Sequence, residues 1–269
     1  MPAPDDNPTT TGASQMPRCQ DADAEVAGVT EVGSDVSAAR ASAPRPSVRK
    51  ESLRVTEIFH SIQGESTWAG MPCTFVRLTG CPLRCVWCDT AYAFNGGKRM
   101  SFDEILARVD AHGCDLVELT GGEPLAQAGA FVLVDRLLET GFTVLVETSG
   151  AIDVGPLNAR AHKIMDLKCP GSGEVARNLW SNLDHLTSRD EVKFVVGDRA
   201  DYEWARAAIS ERGLAERVRD GSLNALLMSP VWGATDLEAL ASWILEDGLP
   251  VRFQTQLHKH IWRPDAKGV

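Results

Sequence analysis

Three closely spaced cysteines carry the clearest chemical signal in the sequence. Cys81, Cys85 and Cys88 stand in the segment GCPLRCVWCD, residues 80–89. A cubane [4Fe–4S] cluster held by three thiolates keeps one iron open to an exogenous ligand, and such an iron can chelate an amino and a carboxylate group. We therefore predict that these three cysteines bind a [4Fe–4S] cluster.

A structural zinc site is the competing interpretation of the same cysteines. Such a site takes four protein ligands, which usually come as two pairs. Here the fourth ligand would be one of the isolated cysteines or one of six histidines, because no second Cys-X-X-Cys pair is present. The spacing therefore favours iron and sulfide, and a zinc-stabilised binding module without catalysis stays as the alternative.

A glycine-rich turn follows further along the chain. The segment LTGGEP, residues 119–124, contains Gly122 and Glu123 directly after a short apolar run. Glycines let the backbone approach a ligand closely, and the Glu123 carboxylate could neutralise an ammonium group. Alone the segment could be a simple turn, but after a three-cysteine loop it indicates a ligand-binding site.

The bulk properties restrict the function classes. The chain has 269 residues and a formal net charge of −10, which argues against the basic footprint of a nucleic-acid binder. No apolar run is long enough to span a bilayer, and the N-terminus lacks a secretory pattern. An odd total of seven cysteines fits a disulfide framework poorly. We expect a cytoplasmic protein with no nucleic-acid or membrane partner.

Two regions differ in composition. Residues 1–49 are rich in Ala, Ser, Thr, Pro, Asp and Gly and contain no aromatic residue, so they cannot bury enough apolar surface to fold alone. We predict a disordered N-terminal extension there, with irregular packing on the domain as the alternative. Residues 50–269 form the predicted catalytic domain.

The elements that must position these motifs alternate along residues 50–269. Apolar and β-branched runs predict strands at 54–60, 73–79, 117–119, 143–146, 163–167, 191–196, 223–228 and 251–255. Helical spacing appears within 102–109, 131–138, 201–212 and 236–246. Repeated β–α units predict an α/β fold with a parallel sheet, open or curled into a partial (β/α) barrel. The cysteine loop would then lie at the carboxyl ends of the strands, where such folds place their active sites.

The Cys-X3-Cys-X2-Cys spacing, with Trp87 before the last cysteine, resembles the radical S-adenosylmethionine superfamily. This resemblance implies a partial barrel and S-adenosylmethionine bound at the open iron. It also implies that the glycine-rich turn holds the methionine amino group. The positions expected to contact S-adenosylmethionine are Trp87, Cys88, Asp89, Gly122 and Glu123.

Further motifs resemble the 7-carboxy-7-deazaguanine synthase family from about Leu53 to Trp262. These are SIQGE at 61–65, CDTAY at 88–92, ETSG at 147–150 and QTQLHK at 254–259. The resemblance implies a lyase of queuosine or 7-deazapurine biosynthesis. It would convert 6-carboxy-5,6,7,8-tetrahydropterin into 7-carboxy-7-deazaguanine with loss of ammonia, starting from a 5′-deoxyadenosyl radical. Another radical enzyme, such as a glycyl-radical activase or a peptide-modifying enzyme, is the alternative.

The resemblance also implies roles for individual residues. Glu65 and Glu147 could accept hydrogen bonds from pterin nitrogens, Gln63 suits the edge of the ring, and Arg77 offers a planar fork for the substrate carboxylate. Each also has a structural alternative as an ordinary polar residue. The implied substrate-binding residues are Ile62, Gln63, Gly64, Glu65, Arg77 and Thr120, the catalytic residues are Glu147 and His258, and Thr90 is the implied Mg²⁺ ligand.

Two departures from the family pattern affect the expectations. Asp166 and Lys168, which we expect at the S-adenosylmethionine site, stand where many members have Ser-Pro-Lys. In some members the chain ends soon after the His-Lys pair and its terminal carboxylate helps bind substrate, whereas here residues 263–269 follow. Either this tail folds over the site or the contact is made differently. The family further implies a homodimer and electrons from a flavodoxin or ferredoxin.

Overall fold

The computed structural model describes residues 52–269, all of which belong to one compact unit. The predicted extension at residues 1–49 lies outside the described residues. Within residues 52–269 no helix is both long and apolar enough to cross a membrane.

One twisted sheet organises the part of the chain that the structure describes. Its nine strands are β1 Ser52–Ile62, β2 Pro72–Leu78, β3 Lys98–Ser101, β4 Leu116–Gly121, β5 Thr143–Thr148, β6 His162–Leu167, β7 Glu191–Val196, β8 Ala225–Pro230 and β9 Arg252–Phe253. The spatial order is β3-β1-β2-β4-β5-β6-β7-β8-β9. Neighbours from β2 to β9 pair parallel, whereas β1 is antiparallel to both β2 and β3. The sheet confirms the predicted parallel-dominated α/β fold.

The helices begin and end at recognisable sequence signals. They are α1 Phe102–Asp110, α2 Gly129–Glu139, α3 Arg199–Glu211, α4 Leu214–Arg219, α5 Leu237–Asp247 and α6 His258–Ile261. Ser101 and Glu104 form a capping box at the start of α1. Asp236 accepts hydrogen bonds from the first turn of α5, which ends at Gly248 with a left-handed φ of 58°.

The two faces of the sheet carry different residues because side chains alternate along each strand. One face is apolar: Val76, Val117 and Val146 pack with α1 and α2 in a core of fully buried side chains. A second core joins β6, β7 and β8 to α3, α4 and α5. The other, inner face begins with an apolar layer that includes Phe75 and Leu145. The next inward residues toward the carboxyl ends are polar: Arg77, Glu118, Thr120, Glu147, Asp166, Lys193 and Ser229.

Several boundaries differ from the sequence predictions. β3 and α4 lie where neither a strand nor a helix was predicted, and β9 has two residues instead of the predicted 251–255. The connections from β5 to β6 and from β6 to β7 contain no α-helix, and the sequence predicted none in either of them. Both connections hold Gly-Pro or Pro-Gly pairs, which favour turns over helix.

Candidate active site

A cavity of about 670 Å³ opens at the carboxyl ends of the parallel strands. Its walls are the polar layer of the inner face, the cysteine loop, the loop after β1 and the C-terminal segment. The structure brings together 17 of the 18 predicted site residues on this cavity: Ile62, Gln63, Gly64, Glu65, Arg77, Cys81, Cys85, Trp87, Cys88, Asp89, Thr90, Thr120, Gly122, Glu147, Asp166, Lys168 and His258. Only Glu123 among the predicted residues does not line it.

The three cysteines of the loop are free, half-buried thiols that face the same cavity. Burial raises the pKa of Cys81 and Cys85, while Lys168 acts in the opposite direction on both. Within residues 52–269 no three His, Cys, Asp or Glu side chains are arranged around one metal ion. A cubane cluster instead binds each cysteine through a separate iron, and each thiol loses its proton when it becomes a ligand. Three free thiols on one cavity are therefore a donor set that fits such a cluster.

The cysteine loop is held in place by its own arginine and by the glycine-rich turn. The Arg84 guanidinium donates to the Cys81 carbonyl oxygen at 2.8 Å and lies 4.3 Å from the centre of the Phe94 ring. A Cβ on Gly122 would lie 2.6 Å from the Cβ of Cys81 and 2.6 Å from the Gly80 carbonyl oxygen. Only glycine fits this contact without displacing the loop.

Glu123 lies beneath the turn and is fully buried. Its carboxylate accepts hydrogen bonds from the Leu125 N–H at 3.0 Å, the Thr148 hydroxyl at 3.0 Å, and the N–H and hydroxyl of Ser149 at 2.7 and 2.5 Å. These contacts join the turn after β4 to the end of β5. The contact of this carboxylate with a ligand amino group stays a prediction; in the structure its oxygens accept hydrogen bonds from protein donors.

Gln63 lies on the cavity wall, but both groups of its side-chain amide bind within the protein. The amide nitrogen donates to Glu118, and the amide oxygen accepts from the Glu65 N–H at 2.8 Å. The side chain thus braces the turn after β1. Next to it, a Cβ on Gly64 would lie 2.1 Å from Nδ1 of His258, so the imidazole needs glycine at this position.

A cluster of three carboxylates and one lysine forms the floor of the cavity. Lys193 Nζ lies 2.8 Å from Glu65 Oε2 and also contacts Glu147 Oε1. Burial, together with the nearby Glu147 and Glu65, raises the pKa of Glu118 well above its usual value. Burial would also raise the pKa of Glu147, but the Lys193 ammonium outweighs it and the net shift is downward. Thr120 completes the cluster by donating its hydroxyl to Glu147 Oε2 at 3.3 Å.

Lys193 and Glu118 were not among the predicted site residues. The signal that could have found them is a charged residue inside an otherwise apolar strand, in EVKFVV and LVELTG. A charge at an inward position of a buried parallel strand is costly unless it is paired, so it marks a site.

Arg77 is positioned by two aromatic rings and a carboxylate. Its Nε donates to Glu57 at 2.9 Å, and the same Glu57 oxygen accepts from the Tyr92 hydroxyl at 2.7 Å. The guanidinium carbon lies 5.9 Å from the ring centres of both Phe59 and Tyr92. Nη1 also donates to the Gly121 carbonyl oxygen at 3.5 Å, and the residue lines the cavity, where a guanidinium can bind a carboxylate.

Asp166 and Lys168 face the end of the cavity near the cysteines. Lys168 Nζ lies 2.7 Å from Asp166 Oδ2, whereas Asp166 Oδ1 is buried and has no hydrogen-bond partner among residues 52–269. The Ser229 hydroxyl lines the same cavity, was not predicted, and is likewise buried with no partner in the described part of the chain. Buried polar atoms without partners are rare, and here they offer hydrogen bonds to a bound ligand. Trp87 packs at this end too, against Gly171 and Gly197.

The C-terminal segment forms another wall of the cavity. Lys259 Nζ lies 2.6 Å from Asp89 Oδ2, and the Gln256 amide donates to both Asp89 and Glu65 at 3.1 and 2.9 Å. Burial opposes ionisation of Asp89, but Lys259 holds its pKa well below the usual range. The Thr90 hydroxyl donates to Asp89 Oδ1 at 2.8 Å. Burial lowers the pKa of His258.

The tail after Trp262 folds over the site, which is the first of the two alternatives raised by the sequence. Lys267 Nζ lies 4.4 Å from the centre of the Tyr92 ring. The tail residues that line the cavity are Arg263, Pro264, Asp265, Ala266, Gly268 and Val269.

A parallel sheet with three free thiols at its carboxyl ends is the arrangement of a radical S-adenosylmethionine protein, and residues 75–211 match the Radical SAM superfamily. Membership implies a [4Fe–4S] cluster and S-adenosylmethionine as cofactors. The 7-carboxy-7-deazaguanine synthase of Koribacter versatilis is 47% identical over 227 residues, covering 81% of this chain and 100% of that relative. The enzyme of the same name from Chlorobaculum tepidum is 45% identical over 220 residues, covering 81% and 97%. This chain belongs to the 7-carboxy-7-deazaguanine synthase family.

A solved structure shares the fold. The crystal structure of QueE from Escherichia coli aligns with a TM-score of 0.62 and 24% identity, covering 77% of this chain and 95% of that chain. At this identity the likeness concerns the fold alone.

Proposed function

We propose that this chain is a radical S-adenosylmethionine lyase that converts 6-carboxy-5,6,7,8-tetrahydropterin into 7-carboxy-7-deazaguanine with loss of ammonia. The observation that carries the proposal is one cavity that joins two different ends. Three free thiols lie at one end, and carboxylates with a rigidly held arginine lie at the other. Relatives that carry the name of this activity match most of the chain. Residues 50–269 are the proposed catalytic domain.

The cofactor end would be formed by the cysteine loop and the strand ends around it. Cys81, Cys85 and Cys88 would hold the cluster, which together with S-adenosylmethionine supplies the radical that starts the reaction. The free Asp166 oxygen and the Ser229 hydroxyl would bind polar groups of S-adenosylmethionine. Gly122 lets this ligand and the cysteine loop approach the turn closely.

The substrate end follows from charge and hydrogen-bonding capacity. The Arg77 guanidinium would bind the substrate carboxylate in the forked geometry that such groups favour. Glu65 and Glu147 are acceptors for the amino and ring N–H groups of the pterin. Ile62, Gly64 and Thr120 complete the lining. Buried in this polar but enclosed cavity, the substrate is kept from bulk water.

Proton transfer would fall to Glu147 and His258. Lys193 keeps Glu147 in its anionic form, so it can accept a proton during the loss of ammonia. Burial lowers the pKa of His258, so its imidazole is neutral near pH 7 and can accept or donate through its two nitrogens. The carboxylate and the imidazole face the same cavity.

Mg²⁺ is the third proposed cofactor, with Thr90 as its protein ligand. Magnesium is satisfied by few protein oxygens together with water and ligand oxygens. The Thr90 hydroxyl and its neighbour Asp89 supply oxygens at the cavity edge. Titration of the metal-free enzyme with Mg²⁺ should raise turnover, and T90V should weaken that dependence.

The remaining parts of the proposal concern partners and place. A flavodoxin or ferredoxin would supply low-potential electrons, and the enzyme would act as a homodimer in the cytoplasm. Its partner in the reaction is a small pterin, without nucleic acid or membrane. Sedimentation of the purified protein and reduction by a purified flavodoxin would test the dimer and the donor.

Anaerobic turnover is the experiment that tests the proposed function. The protein is reconstituted with iron and sulfide, reduced, and given S-adenosylmethionine, Mg²⁺ and 6-carboxytetrahydropterin. Mass spectrometry should detect 7-carboxy-7-deazaguanine and an equal amount of ammonia. Release of 5′-deoxyadenosine without this product would favour another radical enzyme. Purification with zinc and without labile sulfide would contradict the proposal.

A further inference from the structure

Lys193 is a buried charge at the centre of the substrate end of the cavity. It stands third in β7, is 4% exposed, and contacts Glu65 and Glu147 at once. These two carboxylates come from different elements, one from the loop after β1 and one from β5. The ammonium is therefore the group that brings them side by side.

The surroundings of Lys193 are unbalanced in charge. Lys193 contacts two carboxylates, Glu65 and Glu147, whose side chains are 16% and 27% exposed, and a third acidic side chain, Glu118, is buried beside them. Burial raises the pKa of a carboxyl group unless a nearby cation opposes it. The titratable and charged groups that face Lys193 and Glu147 from the surrounding elements are Glu65, Arg77, Glu118, Asp166, Lys168 and His258.

We propose that Lys193 is a positioning residue for substrate recognition, which holds Glu65 and Glu147 side by side as hydrogen-bond acceptors for the amino and ring N–H groups of the substrate. An ionised carboxylate only accepts hydrogen bonds, whereas a protonated one would direct an O–H donor at the substrate's donors. The inference rests on the proposed function, because it takes a pterin with a donor-rich edge as the ligand.

The test compares K193M with K163M. Lys163 is the matched control because it is also a buried lysine paired with a carboxylate, Asp190 at 2.9 Å, but it does not line the cavity. Holoenzyme with an oxidised cluster and S-adenosylmethionine is used without reductant, so no turnover occurs. The Kd for 6-carboxytetrahydropterin is measured anaerobically across pH and divided by the wild-type Kd at the same pH. Dividing by the wild-type Kd removes the effect of protonation of the ligand itself, because this effect is the same for both proteins.

The expected sign follows from the loss of the ammonium. K193M removes the main group that opposes burial and leaves Arg77 as the cation that still lowers the pKa of Glu147. The pKa of this carboxyl group therefore rises, so it takes up a proton as pH falls and binding weakens. We expect the Kd ratio to rise about tenfold or more between roughly pH 8.5 and pH 6.0. The ratio should stay flat for K163M and for K193R, which keeps the charge.

A flat ratio for K193M would overturn the inference, since a purely structural lysine would weaken binding equally at every pH. Should K193M fail to fold, K193M/E65Q removes one of the repelling carboxylates and keeps Glu147, and the same pH comparison applies. The outcomes stay separate from the proposed function: if the wild-type enzyme does not bind or convert the pterin, that function fails. If it does and the ratio is flat, only the role of Lys193 fails.

Discussion

Hydrogen bonds to single buried side chains join the loops around this cavity. Glu123 is the clearest case, since its two carboxylate oxygens collect four hydrogen bonds from residues on two different strand ends. A buried carboxyl group that accepts this many hydrogen bonds orders the segments around it. Its contribution belongs to the fold of the site.

We expect E123A to lower the free energy of unfolding by about 3 kcal/mol or more, because it leaves several buried donors without a partner. Denaturant unfolding of the wild-type and variant proteins measures the difference. E203A is the control, since Glu203 forms an exposed helix pair with Arg199 whose loss should leave the unfolding midpoint nearly unchanged. Equal midpoints for E123A and wild type would refute the structural role.

Cys85→Ala should abolish cluster assembly, because two thiolates do not replace three. Iron and labile sulfide should fall to background after reconstitution, and S-adenosylmethionine should not be cleaved. C114A is the matched control, since Cys114 is a half-buried free thiol that does not line the cavity. Full iron content in the Cys85 variant would show that the cluster is bound elsewhere.

At the scale of secondary-structure elements, the site depends on a turn that touches a loop. The turn after β4 passes so close to the cysteine loop that a single added carbon on Gly122 would overlap Cys81 and Gly80. This close contact sets the distance between the cysteine loop and the carboxyl ends of the strands.

G122A should therefore displace the cysteine loop and lower both cluster content and S-adenosylmethionine affinity, with a smaller effect on unfolding. Iron analysis and equilibrium binding measure the two losses. G129A is the control, because its Cβ would meet side-chain atoms alone, Leu53 at 3.1 Å and Phe102 at 3.3 Å, and no backbone, and alanine suits a helix. If G122A keeps wild-type iron content and affinity, the contact does not position the loop.

The elements also show what the sequence could and could not predict. Most strands and helices were predicted because their apolar periodicity reflects burial on one face, as in α1 and α2. β3 escaped prediction because KRMS has a single buried residue, Met100, and pairs as an edge strand. Motif spacing predicted which residues meet at the cavity, but not that Gln63 and Glu123 are committed to partners inside the protein. Those contacts depend on segments far apart in sequence.

At the scale of the whole molecule, the cavity is closed by a segment from the far end of the chain. Lys259 and Gln256 reach the cysteine loop and the turn after β1, and residues 263–269 continue along the rim. The cavity is therefore lined in part by residues that belong to none of the β–α units.

Removal of residues 263–269 should raise KM for the pterin several-fold and leave cluster content unchanged, because these residues line the rim and do not contact the cysteines. Steady-state kinetics and iron analysis separate the two effects. K267A removes only the contact with the Tyr92 ring and should have a smaller effect. A truncated enzyme with wild-type KM would show that the tail does not contribute to binding.

The pairing of Asp89 with Lys259 has a consequence for the order in which the protein is made. The two residues are 170 positions apart, so the ribosome completes the cysteine loop long before its brace exists. The Asp89–Lys259 pair can therefore form only after Lys259 has been added, so closure of this part of the cavity is a late event in the synthesis of the chain.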